Sequence, residues 1–100
     1  MKNSLGYKII YTSKKRTLEA VKQDGHVLPY SSDKLRNDRE IVLESVKYNS
    51  WTLYYASKEL KSNKNFMLKL AKQDKNLVIY ADKSIRDELI YKLYPKKKLN

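Results

Sequence analysis

The chain has no cysteine, two glycines, two prolines and one histidine in 100 residues. Without cysteine there is no disulfide, no thiolate metal site and no thiol nucleophile, and the redox compartment stays open. Glycine and proline punctuate hairpins and long loops, so their scarcity favours helices joined by short turns. A single imidazole gives no support to a metal centre. Two glycines cannot build a phosphate-cradling loop. No apolar run approaches the roughly 18 residues that span a bilayer. The opening MKNSLGYKIIYTSKK has only a short apolar centre and no small-residue cleavage site, so it reads as mature protein. The expected setting is cytoplasmic, in the producing cell or in a host cell, and not membrane.

What is present is charge. The chain carries 22 Lys and Arg against 11 Asp and Glu, a formal net charge of +11. Such an excess favours association with something acidic. Lysine far outnumbers arginine, and the chain is rich in Asn, Ile and Tyr, a bias that an AT-rich genome also produces. Hydrophobic residues make up 41% of the chain, enough for one folded domain with a modest core.

The sequence matches itself when shifted by 25 residues. Leu18, Leu43, Leu68 and Leu93 share a column, as do Val21, Val46 and Ala71, then Leu28, Leu53 and Val78, and Tyr30, Tyr55 and Tyr80. Ser31, Ala56 and Ala81 form a column of small residues. Ile10, Leu35, Leu60 and Ile85 form another apolar one. Self-similarity at this period marks repeated supersecondary units. Within one copy, Val42, Leu43 and Val46 make one helical stripe, and Leu53, Ala56 and Leu60 a second. Asn37 with Glu40 reads as a capping box, and Ser50 as the cap of the second helix. Asp24-Gly25, Asn49-Ser50 and Asp74-Lys75 are the junctions. Pro29 is compatible with a first helical turn, where a missing N–H costs little.

The expected fold is all-α, with short helix-pair repeats stacked as a small α-solenoid. One domain covers 1–94, with units at 4–11, 13–36, 38–61, 63–85 and 86–94, and a basic tail at 95–100. Ser32 and Ser57 leave open whether the second helix of each pair is broken. Lys92 stands where Val42 and Met67 stand in earlier copies, a polar exchange that suits a terminal cap.

The strings NDREIVLESVKYNSWTLYYASKELKSN and LEAVKQDGHVLPYSSDKLRND resemble the repeats of a bacterial and viral family, domain of unknown function 4116. The resemblance runs along essentially the whole chain. It implies an all-helical repeat domain, often an accessory part of larger proteins, and implies no activity.

The residues offer no catalytic constellation, so no enzyme, cofactor or small-molecule substrate is expected. His26 shares its column with Trp51 and Asn76, a variable position that suits a surface or capping residue. Glu19 and Glu44 give way to Lys69 in the third copy, which argues against paired-carboxylate chemistry. The first expectation is a protein–protein interaction module. Trp51, Tyr54 and Tyr48 lie off the repeated core columns and would serve as partner anchors. The alternative is a nucleic-acid or nucleoprotein binder, including a small inhibitor of a nucleic-acid enzyme. It would use three basic ladders: Lys22, Lys47 and Lys72; Arg36, Lys61 and Arg86; Lys14, Arg39 and Lys64, extended by Lys96 to Lys98. Lysines flanking an apolar stripe also lay their stems over the core with the ammonium in water.

Overall fold

A computed structural model describes residues 1–24 and 26–95. Gly25 and the tail lysines Lys96, Lys97 and Lys98 therefore lie outside the described residues. The chain divides into two units, Met1–Ser57 and Lys58–Asn100. The described residues are mostly helical and contain no strand, only two isolated bridges, Lys2 with Lys8 and Tyr11 with Ser31.

The first unit holds α1 (Lys14–Val21), a 3₁₀ turn at Leu28–Tyr30, α2 (Asp33–Arg36), α3 (Arg39–Tyr48) and a 3₁₀ helix at Ser50–Tyr55. The second holds α4 (Lys58–Lys61), α5 (Lys64–Gln73), a 3₁₀ helix at Lys75–Tyr80 and α6 (Lys83–Leu93). Helices α1, α3 and α5 start at Lys14, Arg39 and Lys64, and α2, α4 and α6 at Asp33, Lys58 and Lys83, in steps of 25 residues. Side-chain caps set the first series. Ser13 accepts from the Arg16 N–H, Asp38 from Ile41 and Asn63 from Phe66. Each cap satisfies one of the donors left free at a helix start.

The expected cap Asn37 is off by one residue. Its own N–H closes α2 by donating to the Asp33 and Lys34 carbonyls, so the cap falls to Asp38. Ser50 does not cap either, since Asn49 precedes the 3₁₀ helix and makes no side-chain capping bond. Pro29 does sit in the first turn of its 3₁₀ segment.

The second helix of each pair is broken, and the small-residue column is where it breaks. Ser31, Ala56 and Ala81 are all extended, with ψ between 146° and 159°. In two copies the following residue explains this. Ser32 and Asp82 turn their side chains onto the Leu35 and Ser84 N–H groups, and such a cap needs non-helical backbone. The apolar stripe survives the break, since Leu53, Ala56 and Leu60 are all buried. The third copy differs at its far end. Asp38 and Asn63 stop the short helix and start the next, but Glu88 replaces them and α6 runs on unbroken from Lys83 to Leu93. A glutamate side chain is one methylene too long to favour that cap. The boundary expected between 63–85 and 86–94 thus falls inside α6.

Three of the repeat columns form the core, whereas the column of Leu18, Leu43, Leu68 and Leu93 is only half-buried, and in the tyrosine column Tyr30 is exposed with Tyr55 and Tyr80 half-buried. Val21, Val46 and Ala71 are buried, as are Leu28, Leu53 and Val78, and Leu35, Leu60 and Ile85. Ile10, assigned to the last of these columns, is 59% exposed. The segment 4–11 is not half a helical unit. Gly6 takes a φ of 87°, the left-handed region open to glycine, and lets the chain double back so that Lys2 bridges Lys8. Asn3 pins this loop to the body. Its buried amide donates to the Pro29 and Ser31 carbonyls, both at 2.9 Å, while its oxygen accepts from the Leu5 and Tyr7 N–H groups.

Candidate functional site

Two contacts fix the relative direction of α1 and α3. At one end the Lys14 ammonium meets Asp38 at 3.1 Å and Glu40 at 3.0 Å, linking the two N-termini. Just beyond the other ends, the rings of His26 and Trp51 lie 5.2 Å apart. The helices therefore run side by side in parallel, and the residues after their C-termini come together on one edge of the first unit.

That edge is aromatic. Tyr55 is the hub, with centroids of Tyr54 at 5.1 Å, Tyr7 at 5.9 Å and Trp51 at 6.3 Å, all at steep angles. Tyr7 also meets Tyr30 at 5.4 Å, so the rings run continuously from His26 to Tyr30. The neighbouring Tyr7 phenol, helped by slight burial and by Tyr54 and Tyr30, raises the Tyr55 pKa. The cluster is built as a surface. Trp51 is 38% exposed, Tyr54 60% and Tyr48, the last residue of α3, 47%. Large aromatic groups held rigid yet open to solvent are the usual anchors of protein interfaces. The structure thus places Trp51 and Tyr54 in one ring cluster, with Tyr48 exposed at the end of α3.

The sequence did not reveal Tyr7 as part of this cluster. The signal was present. Tyr7 falls in the column of Ser32, Ser57 and Asp82, a column of capping residues, and a tyrosine there already indicates that the first copy departs from the helical pattern. His26 was read as a surface or capping residue. It is exposed, its backbone N–H and ring nitrogen both meet Asp24, and its ring also packs on Trp51.

The basic columns separate into distinct kinds. Arg36 is only 3% exposed and cannot serve as a surface rung. Its guanidinium turns inward, donating to the Tyr55 carbonyl, the Ser4 hydroxyl and the Asp33 carboxylate. Arg86, in the same column, is half-buried and donates twice to the Ala81 carbonyl. Lys61 is half-buried too, and with Lys58 it helps hold the Asp82 carboxyl below its usual range, after the larger effect of the Ser84 hydroxyl and N–H. In the third column Lys14 is paired as described, and Lys64 meets Glu88 at 2.9 Å, while Arg39 is exposed. The Lys64 bond is the main reason the Glu88 carboxyl is held below its ordinary value. Lys22, Lys47 and Lys72 are the exposed column, and among the described residues none of the three has a carboxylate within ion-pair distance. Among the described residues there is also no cluster of three or more potential metal ligands, and no helix long and apolar enough to cross a membrane.

The model of a domain of unknown function (DUF4116) matches residues 17–61 and again residues 38–86. The chain belongs to this family. No curated protein and no solved structure matches it.

Proposed function

We propose that this chain is a non-catalytic protein-binding module that engages its partner through the aromatic edge of the first unit. The observation that carries the reading is the exposure of Trp51 within a ring cluster that holds it in place. A tryptophan freed from a mobile loop would lose entropy on binding; one already braced by His26 and Tyr55 loses less. The steep angles between the rings also favour a protein over a nucleic acid. Successive bases stack on parallel ring faces, and this cluster offers few of them. The basic columns support the same choice, because Arg36, Arg86, Lys14 and Lys64 are already engaged with carbonyls or carboxylates. The repeated helix starts and the parallel course of α1 and α3 support a further element of the reading, that the 25-residue copies stack as a small α-solenoid.

The test is selection of short peptides from a random display library on the whole chain, followed by rebinding to Trp51→Ala and Tyr54→Ala. Enriched peptides that bind the parent and lose Trp51→Ala support the module. If nothing is enriched while labelled single-stranded RNA binds tightly at about 50 mM salt and is released by about 200 mM, the chain is a polyanion binder instead.

A further inference from the structure

We infer that the segment of the partner lying on this edge is acidic, and that Lys22 and Lys47 flank the aromatic anchor to receive its carboxylates. The inference rests on the protein-binding reading above and adds the chemistry of what is bound. It comes from where the parallel helices end. Lys22 follows the last residue of α1, and Lys47 lies in the last turn of α3. Each precedes by four residues one member of the His26–Trp51 ring pair. Because α1 and α3 run in parallel, the two ammonium groups emerge at the same end of the unit as those rings.

Both lysines are exposed, and neither is neutralised by a carboxylate among the described residues. Asp24 is the acidic residue nearest the rings in sequence, and it is occupied. Its Oδ1 accepts from the His26 N–H at 2.8 Å and faces the imidazole at 3.2 Å, and the N–H bond is the main reason its carboxyl lies below the ordinary range. The contrast with the other end of the same helices is informative. There Lys14 is closed off by both Asp38 and Glu40. The Lys14 ammonium is thus neutralised within the helix pair, whereas Lys22 and Lys47 stay without a carboxylate at the end that carries the exposed rings. Charge complementarity of this kind selects partners and speeds encounter more than it tightens the complex, so the rings carry the affinity and the lysines the preference. Lysine at a helix C-terminus also suits the helix dipole, but that effect works within the helix and does not require that both neighbouring helices leave the same position unpaired.

The experiment uses the display selection on the whole chain and reads the composition of the enriched peptides. These should carry an excess of Asp and Glu around an apolar residue. The double charge reversal Lys22→Glu with Lys47→Glu should weaken them about tenfold, as two exposed pairs turned to repulsion would. The control reverses Lys15 and Lys34, two other exposed lysines of the first unit, and should leave binding within about twofold. Neutral or basic peptides, or equal loss in both double variants, would overturn the inference while loss in Trp51→Ala still upheld the binding module. Peptides that bind Trp51→Ala as well as the parent would sink both readings.

Discussion

Arg36 donates from Nη1 to the Tyr55 carbonyl at 3.0 Å, tying the short helix of one repeat to the end of the 3₁₀ helix in the next. The same guanidinium holds Ser4 and Asp33 through Nη2, both at 2.6 Å. One buried side chain thus joins the N-terminal loop, α2 and the hub of the aromatic edge. Arg36→Ala should cost about 2–3 kcal/mol, because it opens a cavity and leaves the Tyr55 carbonyl short of a donor. Arg36→Met should cost less. It fills the volume, and Asp33 is exposed enough to be solvated once its partner has gone. Urea denaturation of the two variants checks the order. Equal losses would mean that the hydrogen bonds matter and the volume does not.

Asp33 makes the first unit sensitive to acid. Its carboxylate accepts from the Ser4 N–H, from Arg36 and from the Ser4 hydroxyl, and these bonds, the first being the largest, hold its pKa at about 2. The folded value lies below the unfolded one, so the ionised form favours folding. The contribution is complete above the ordinary aspartate value of 3.8 and is lost as pH falls towards about 2. Asp33→Asn removes the titration. The melting temperature of the parent should exceed that of Asp33→Asn at pH 5, and the gap should close between pH 4 and 2. A gap that stayed constant over that range would assign the effect to another carboxylate.

The 25-residue spacing of several buried positions could be read from the sequence. Leu28, Leu53 and Val78 are interchangeable to the core, and each is buried where the register puts it. The broken second helix was harder to see. Leu53, Ala56 and Leu60 keep helical spacing in the sequence and are all buried, although a 3₁₀ helix, an extended residue and a short α-helix carry them. The N-terminal loop was hidden for another reason. Ile10 matches its column by type, but the local bonds of Asn3 and the positive φ of Gly6 override a one-residue apolar match. The basic columns show the limit of sequence reading most clearly. Arg36 and Lys22 look equally regular, yet one is buried on a carbonyl and the other is exposed. Repetition alone does not separate a structural cation from one facing solvent.

Asp38 serves two ends at once, and its variants can separate them. It caps α3 through the Ile41 N–H at 3.1 Å and pairs with Lys14 at 3.1 Å. Asparagine keeps the cap and loses the charge, whereas alanine loses both. Asp38→Asn should therefore cost no more than about 0.5 kcal/mol, as expected of a partly exposed ion pair. Asp38→Ala should cost about 1–2 kcal/mol. Thermal or urea unfolding at low and high salt checks this, and only the small charge component should fade as salt is added. If asparagine proved as damaging as alanine, the Lys14 pair and not the cap would be what orders the start of α3.

Trp51 should behave as a surface anchor and not as a core residue. Its ring touches His26 and Tyr55, contacts worth about 0.5–1.5 kcal/mol each, and more than a third of it faces solvent. Two residues later Leu53 is fully buried. Trp51→Ala should thus cost about 1–2 kcal/mol and stay folded, while Leu53→Ala should cost about 3 kcal/mol or more. In the free protein acrylamide should quench the Trp51 emission substantially, as the lone tryptophan makes the signal unambiguous. Quenching should then fall when a selected peptide is bound, because the ring is covered. A tryptophan already shielded in the free chain, together with a Trp51→Ala variant that fails to fold, would make the ring part of the core and remove the basis for a binding edge.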